Sequence, residues 1–96
     1  MTGYGEEIRV RVPKGKEVLG VIETMLGASR MRVRCQDDKI RTCRVPGRFR
    51  KRLWIRQGDY ILVIPWEIQG DTNGDIVWKY RPNQADWLKR KGILKL

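Results

Sequence analysis

Residues 30–45 read RMRVRCQDDKIRTCRV. In the first six, successive side chains of an extended chain point to opposite sides, so Met31, Val33 and Cys35 share one face and Arg30, Arg32 and Arg34 the other. A strand with three arginines on one face is not buried on both. Asp37 and Asp38 read as a hairpin turn, and residues 40–45 return as a second strand beside the first. The alternation of that return strand is imperfect: Ile40 and Arg41 compete for the core face, and a β-bulge would reconcile them.

Downstream, Pro46-Gly47 ends the return strand and opens PGRFRKRLWIR, residues 46–56, a basic block interleaved with aromatic and aliphatic side chains. Gln57-Gly58-Asp59 is a turn signal. Residues 60–66, YILVIPW, form a near-continuous apolar run, the mark of a strand covered on both faces, with Pro65 at its end or edge. Residues 70–75, GDTNGD, contain Asn-Gly and predict a hairpin into a strand over 76–81, IVWKYR. Pro82-Asn83 then starts a helix over 84–91 (QADWLKRK), with Gly92 as its stop and the charge order Asp86 early, Lys89, Arg90 and Lys91 late suiting the helix dipole.

Upstream, residues 17–26 (EVLGVIETML) close on Gly27 and suit a first strand, strongly coiled at Gly20. Residues 1–16 have no period long enough for an element and read as a flexible tail, with 8–12 extended along the body. The expected organisation is a tail over 1–16, one domain over 17–81, and a helix and terminal segment over 82–96 packed on it. Five strands with an insertion between the third and fourth give an all-β, five-stranded Greek-key barrel of OB type with a short C-terminal helix. Strand counting alone also admits SH3-like barrels. The location of the charge favours the OB reading, because its second and third strands are the usual binding face.

The chain has 96 residues, enough for one small core. Its net charge is +10, and eleven Lys and Arg between residues 30 and 56 face only Asp37 and Asp38, so nine of those ten charges sit in that span. Concentrated positive charge predicts a polyanionic partner. Arg44, Arg48, Arg50, Lys51, Arg52 and Arg56 repel one another until an anion neutralises them, and guanidinium groups bind phosphate bidentately and stack on bases. Within Leu53-Trp54-Ile55 some side chains must turn inward, which leaves Trp54 open to either a barrel-closing or a base-stacking role, and Phe49 likewise. Trp66, Trp78 and Trp87 read as packing residues.

Enzyme classes fail on inventory. With no histidine and a single serine, Ser29, the chain cannot build a Ser-His or Cys-His nucleophile pair. Cys35 and Cys43, the only cysteines, cannot supply a four-ligand zinc site or a disulfide framework, and are expected to be reduced thiols. Asp37 and Asp38 lack the burial that tunes a catalytic carboxylate. No phosphate-binding glycine loop is present, and no cofactor or metal is expected. No stretch approaches the roughly 20 apolar residues of a membrane span, and the N-terminus lacks the core of a signal peptide, which predicts a cytoplasmic monomer with no membrane partner.

The run IRTCRVPGRFRKRLWIRQGDYILV, followed by DIVWKY and ADWLKRKG, closely resembles the translation initiation factor 1A family of archaea and eukaryotes. The basic cluster joined to Trp54-Ile55 and Asp59 carries the likeness, which runs from about residue 17 to residue 92. The resemblance implies a non-enzymatic OB-fold factor on the small ribosomal subunit, with ribosomal RNA of the decoding A site as main partner, no DNA partner, and other initiation factors as further candidates. It implies that the factor keeps tRNA out of the A site and helps place initiator tRNA and messenger RNA at the P site. By position, Gly47, Arg48, Arg50, Lys51, Arg52, Trp54 and Arg56 would meet that RNA, beside Arg32, Arg34, Arg41 and Arg44 of the second and third strands. The sequence stops at Leu96 without the long acidic tail of eukaryotic members, which points to an archaeal member and weighs against contact with the subunit-joining GTPase. The competing expectation is an OB-fold RNA chaperone or ribosomal protein that binds single-stranded RNA.

Overall fold

The computed structural model describes residues 10–27, 29–49 and 53–96. The Arg-Met-Arg-Val-Arg-Cys alternation becomes β2 (Arg30–Cys35), in which Met31, Val33 and Cys35 are buried and the three arginines exposed. It hairpins through Asp38, in the left-handed region at φ 67°, into β3 (Ile40–Arg44). β1 (Val18–Gly27), β4 (Tyr60–Pro65) and β5 (Asn73–Lys79) complete a closed barrel in the order β1-β2-β3-β5-β4. β3 and β5 run parallel, and every other neighbouring pair is antiparallel. α1 (Pro82–Arg90) follows, and Gly92 at φ 75° releases the chain from its end.

One strand explains how so small a chain closes on itself. β1 pairs with β4 through Val18 to Val21 and with β2 from Gly20 onward, and its register shifts twice, between Ile22 and Thr24 and between Met25 and Gly27. Such bulges bend and twist a strand. At Gly20, where both neighbours are paired, a Cβ would stand 2.6 Å from Val33 Cγ1, so only glycine admits the close approach.

Residues 61–63 of β4 are buried on both faces because two cores flank them, while Ile64 beyond them is 37 % exposed. Ile61 and Val63 enter the barrel with Ile22, Met31, Val33, Cys35, Cys43, Val45 and Ile76. Leu62 faces the other way, joining Leu19, Val77 and Tyr80 against Ala85, Leu88 and Leu94 of the C-terminal segment. Val10 and Val12 pack on that second cluster, and the Tyr80 hydroxyl donates to the Arg11 carbonyl.

Two sequence expectations are corrected. The β2–β3 register runs without interruption, pairing Val33 with Arg41 and Arg34 with Ile40, so no bulge separates Ile40 from Arg41. Arg41 faces inward, 3 % exposed, and Ile40 outward at 55 %. The polar residue is tolerated because its guanidinium donates two hydrogen bonds to the Asp37 carboxylate, at 3.0 and 2.8 Å, and a third to the Gly70 carbonyl. The second correction concerns Asn73-Gly74, which lies inside β5 and not at a hairpin tip. Pro65 pairs with Gly74, and the reversal is made by the preceding residues, with Gln69 at φ 65° and its carbonyl accepting from the Thr72 and Asn73 amides. Gly74 is required for space, since a Cβ there would lie 2.6 Å from Val63 Cγ1. β5 accordingly begins at Asn73 and ends at Lys79, short of Arg81.

Cys35 and Cys43 are free thiols buried in the barrel. Burial pushes both up from the ordinary thiol range, Cys43 to about 12, so almost no thiolate exists near neutrality. Neither should react with a thiol reagent in the native protein at pH 8, and both should react in denaturant. Rapid native labelling of either would contradict the packing.

Candidate nucleic-acid interface

Outside the barrel, the β2–β3 hairpin presents Arg30, Arg32 and Arg34 beside Arg44, Thr42 and Ile40, with Arg30 directly opposite Arg44 and Arg32 opposite Thr42. Like charges placed opposite one another in a sheet are unfavourable unless an anion intervenes. Arg34 is partly answered by Glu23, 3.4 Å from its Nε. Arg32 and Arg30 have no hydrogen-bonding or ionic partner among the described residues. Arg41 does not join this face, because its guanidinium is buried against Asp37 and Gly70; its inclusion among the exposed arginines of the face is the correction that follows from the register.

The chain leaves Arg44 through Val45 and Pro46 into a 3₁₀ turn, Gly47–Phe49. Gly47 and Arg48 are exposed there, and the Arg48 guanidinium carbon sits 4.8 Å from the Phe49 ring centroid. Phe49 is half-buried and packs on both cores. Arg50, Lys51 and Arg52 lie outside the described residues. Leu53 and Ile55 then pack against the barrel interior while Trp54 between them is 75 % exposed. The alternation of an extended segment accounts for this: two apolar anchors facing in force the middle side chain out.

Two residues outside the predicted site hold that segment. Lys79 Nζ donates to the Trp54 carbonyl at 2.6 Å and lies 3.3 Å from the Asp59 carboxylate, which also accepts the Arg56 backbone N–H at 2.8 Å. Trp54 and Trp78, the latter 37 % exposed, border a surface pocket together with Lys79, Arg81 and Gln84. Trp78 and Trp66 are therefore less internal than packing residues would be. Trp66 pairs with Arg44, whose guanidinium carbon is 5.1 Å from its ring centroid. A sequence signal existed for Lys79: it directly follows exposed Trp78 in a strand whose core positions are Ile76 and Val77.

Asp37, the one carboxylate with a resolved shift among the described residues, is held below the usual range chiefly by the Arg41 hydrogen bonds, the opposite of what a general acid needs. Among the described residues no group of His, Cys, Asp and Glu could hold a metal ion, and no helix is long and apolar enough to cross a membrane.

A family model described as translation initiation factor 1A / IF-1 matches residues 7–95. The chain is 55 % identical over 87 residues to translation initiation factor 1A of Pyrococcus abyssi, covering 91 % of this chain and 77 % of that one. It is 53 % identical over 89 residues to the protein of the same name from Methanococcus maripaludis, covering 91 % and 86 %. Among solved structures it is similar to translation initiation factor 1 from the Wolbachia endosymbiont of Brugia malayi, with a TM-score of 0.53 and 26 % identity over 69 % of this chain and 78 % of that one. That likeness accords with the OB barrel read from the strand order.

Proposed function

Because the chain belongs to the translation initiation factor 1A / IF-1 family, we propose that it binds the small ribosomal subunit at the A site through ribosomal RNA, occupying the place of a tRNA and favouring initiator tRNA and messenger RNA at the P site. The observation that carries this reading is the outward arginine row of β2, unpaired at Arg32, continuing by way of Arg44 into Arg48 and the exposed Trp54. Arginine forks neutralise phosphates, and an exposed indole stacks on an unpaired base. The RNA-contacting set is Arg32, Arg34, Arg44, Gly47, Arg48, Trp54 and Arg56, together with Arg50, Lys51 and Arg52. Residues 17–81 form the RNA-binding domain, and the protein acts by occupancy and electrostatics without catalysing a reaction.

Purified small subunits provide the test. The parent protein should bind them and compete with tRNA for the A site, and Arg32→Ala with Arg48→Ala should weaken binding roughly tenfold, at about 1 kcal/mol or less per exposed charge, with little change in melting temperature. In lysate the protein should travel with free small subunits and leave translating ribosomes. Persistent sedimentation with elongating ribosomes would favour the ribosomal-protein reading, and unaltered binding by the double variant would remove the arginine row from the interface.

A further inference from the structure

Beside the arginine row, at the end of the barrel where β3 meets β5, a pocket of about 230 Å³ is bordered by Arg30, Thr42, Arg44, Trp66 and Asn73. It is smaller than the roughly 300–1,000 Å³ of sites that enclose a whole small molecule, and is on the scale of a single base. Its wall is already organised. Asp75 Oδ1 accepts hydrogen bonds from Arg44 Nε at 3.0 Å and from Trp66 Nε1 at 2.9 Å, and so fixes the guanidinium against the indole. With Nε engaged, the two Nη groups of Arg44 have no partner among the described residues, and neither does the Arg30 guanidinium across the strand pair. The Asn73 side-chain oxygen accepts from the Thr72 hydroxyl, which leaves its NH₂ group free to donate.

We propose that this pocket is a guanine-reading subsite for one unpaired RNA nucleotide. Arg44, held by Asp75 and Trp66, directs its two Nη donors at the N7 and O6 acceptors of the base, and Arg30 takes the adjoining phosphate. On the edge that carries N7, guanine offers two acceptors where adenine offers an acceptor and a donor. The surplus of donors around the pocket therefore rejects adenine. Pre-positioning the guanidinium removes part of the ordering cost that an unrestrained arginine would incur on binding. The proposal rests on the reading that this face binds RNA, and adds to it a base preference and a role for Trp66 and Asp75.

End-labelled heptaribonucleotides that differ only in their central base, G, A, C or U in a uridine background, test it by fluorescence anisotropy at low salt. The guanine heptamer should bind roughly tenfold tighter than the other three. Arg44→Lys keeps the charge and removes the fork, so it should abolish the preference, bringing the guanine heptamer down to the affinity of the uridine heptamer for the same variant. Equal binding of the guanine and adenine heptamers, or a preference that survives Arg44→Lys, overturns the proposal. Small-subunit binding measured on the same samples separates the failures. Subunit binding without guanine preference removes only the subsite; loss of both subunit and heptamer binding removes the functional reading and the subsite with it.

Discussion

Arg41→Ala is expected to lower the unfolding free energy by about 2 to 3 kcal/mol, and with it the melting temperature by roughly 10 to 20 °C for a domain of this size. Removing one partner of a buried ion pair typically costs about 3 to 5 kcal/mol because the other charge is stranded. The lower figure applies because the Asp37 side chain is 34 % exposed and can rehydrate. What cannot be recovered is the donor to the Gly70 carbonyl, which ties the β2–β3 turn to the β4–β5 turn. Asp37→Asn strands the buried guanidinium and turns one of its two acceptor oxygens into a donor, so it should cost at least as much. Acid titration separates the charge from the shape. The carboxyl of Asp37 is depressed in the fold, so its contribution is present above the unfolded value near 3.9 and is lost as pH falls through the folded value. Arg41→Ala should therefore show a shallower acid limb than the parent. A chemical denaturation midpoint unchanged by Arg41→Ala would mean that the guanidinium is not the tie between the two turns.

The strand order, the turn at Asp37-Asp38 and the two-sided burial of β4 were legible because each rests on a local pattern. Alternation assigns a face, turn residues mark reversals, and a run of Ile61, Leu62 and Val63 has no polar side to offer solvent. Arg41 was harder for a physical reason. Read alone, IRTCR leaves open whether its isoleucine or its arginine faces the core, because one of the arginine's partners, Gly70, is 29 residues away. The register nevertheless contained the answer: residues directly opposite in a hairpin share a face, so a pairing of Val33 with Arg41 makes both inward once Val33 is. The Asn-Gly pair misled for the complementary reason. Glycine serves a turn through positive φ or a strand through its missing Cβ, and only the packing of Val63 against Gly74 distinguishes the two uses. Lys79 and the Arg44–Trp66–Asp75 cluster depend on the β4–β5 and β3–β5 pairings, which no local window contains.

Trp54→Ala is expected to leave the melting temperature near the parental value and to weaken small-subunit binding by about 1 to 3 kcal/mol, up to roughly a hundredfold. A tryptophan in a core would behave in the opposite way, costing about 3 to 5 kcal/mol of stability on truncation. Exposure of 75 % decides between these, since most of the indole has no packing to lose. Leu53→Ala is the matching control, because Leu53 packs on the barrel and its truncation should appear as lost stability. Salt dependence supplies a second axis. If about five phosphates are neutralised, affinity should fall by roughly two orders of magnitude between 50 and 200 mM salt. Stacking releases no counterions, so Trp54→Ala should shift that line without changing its slope, whereas Arg32→Ala should flatten it by about one unit. Lys79→Met falls between the two. It removes the hydrogen bond to the Trp54 carbonyl and the ion pair with Asp59, leaving the indole present but its backbone unheld, and should reproduce part of the Trp54→Ala loss in affinity. A large fall in melting temperature for Trp54→Ala, with binding lost only in proportion to unfolding, would show that the indole supports the segment and that the arginines alone engage the RNA.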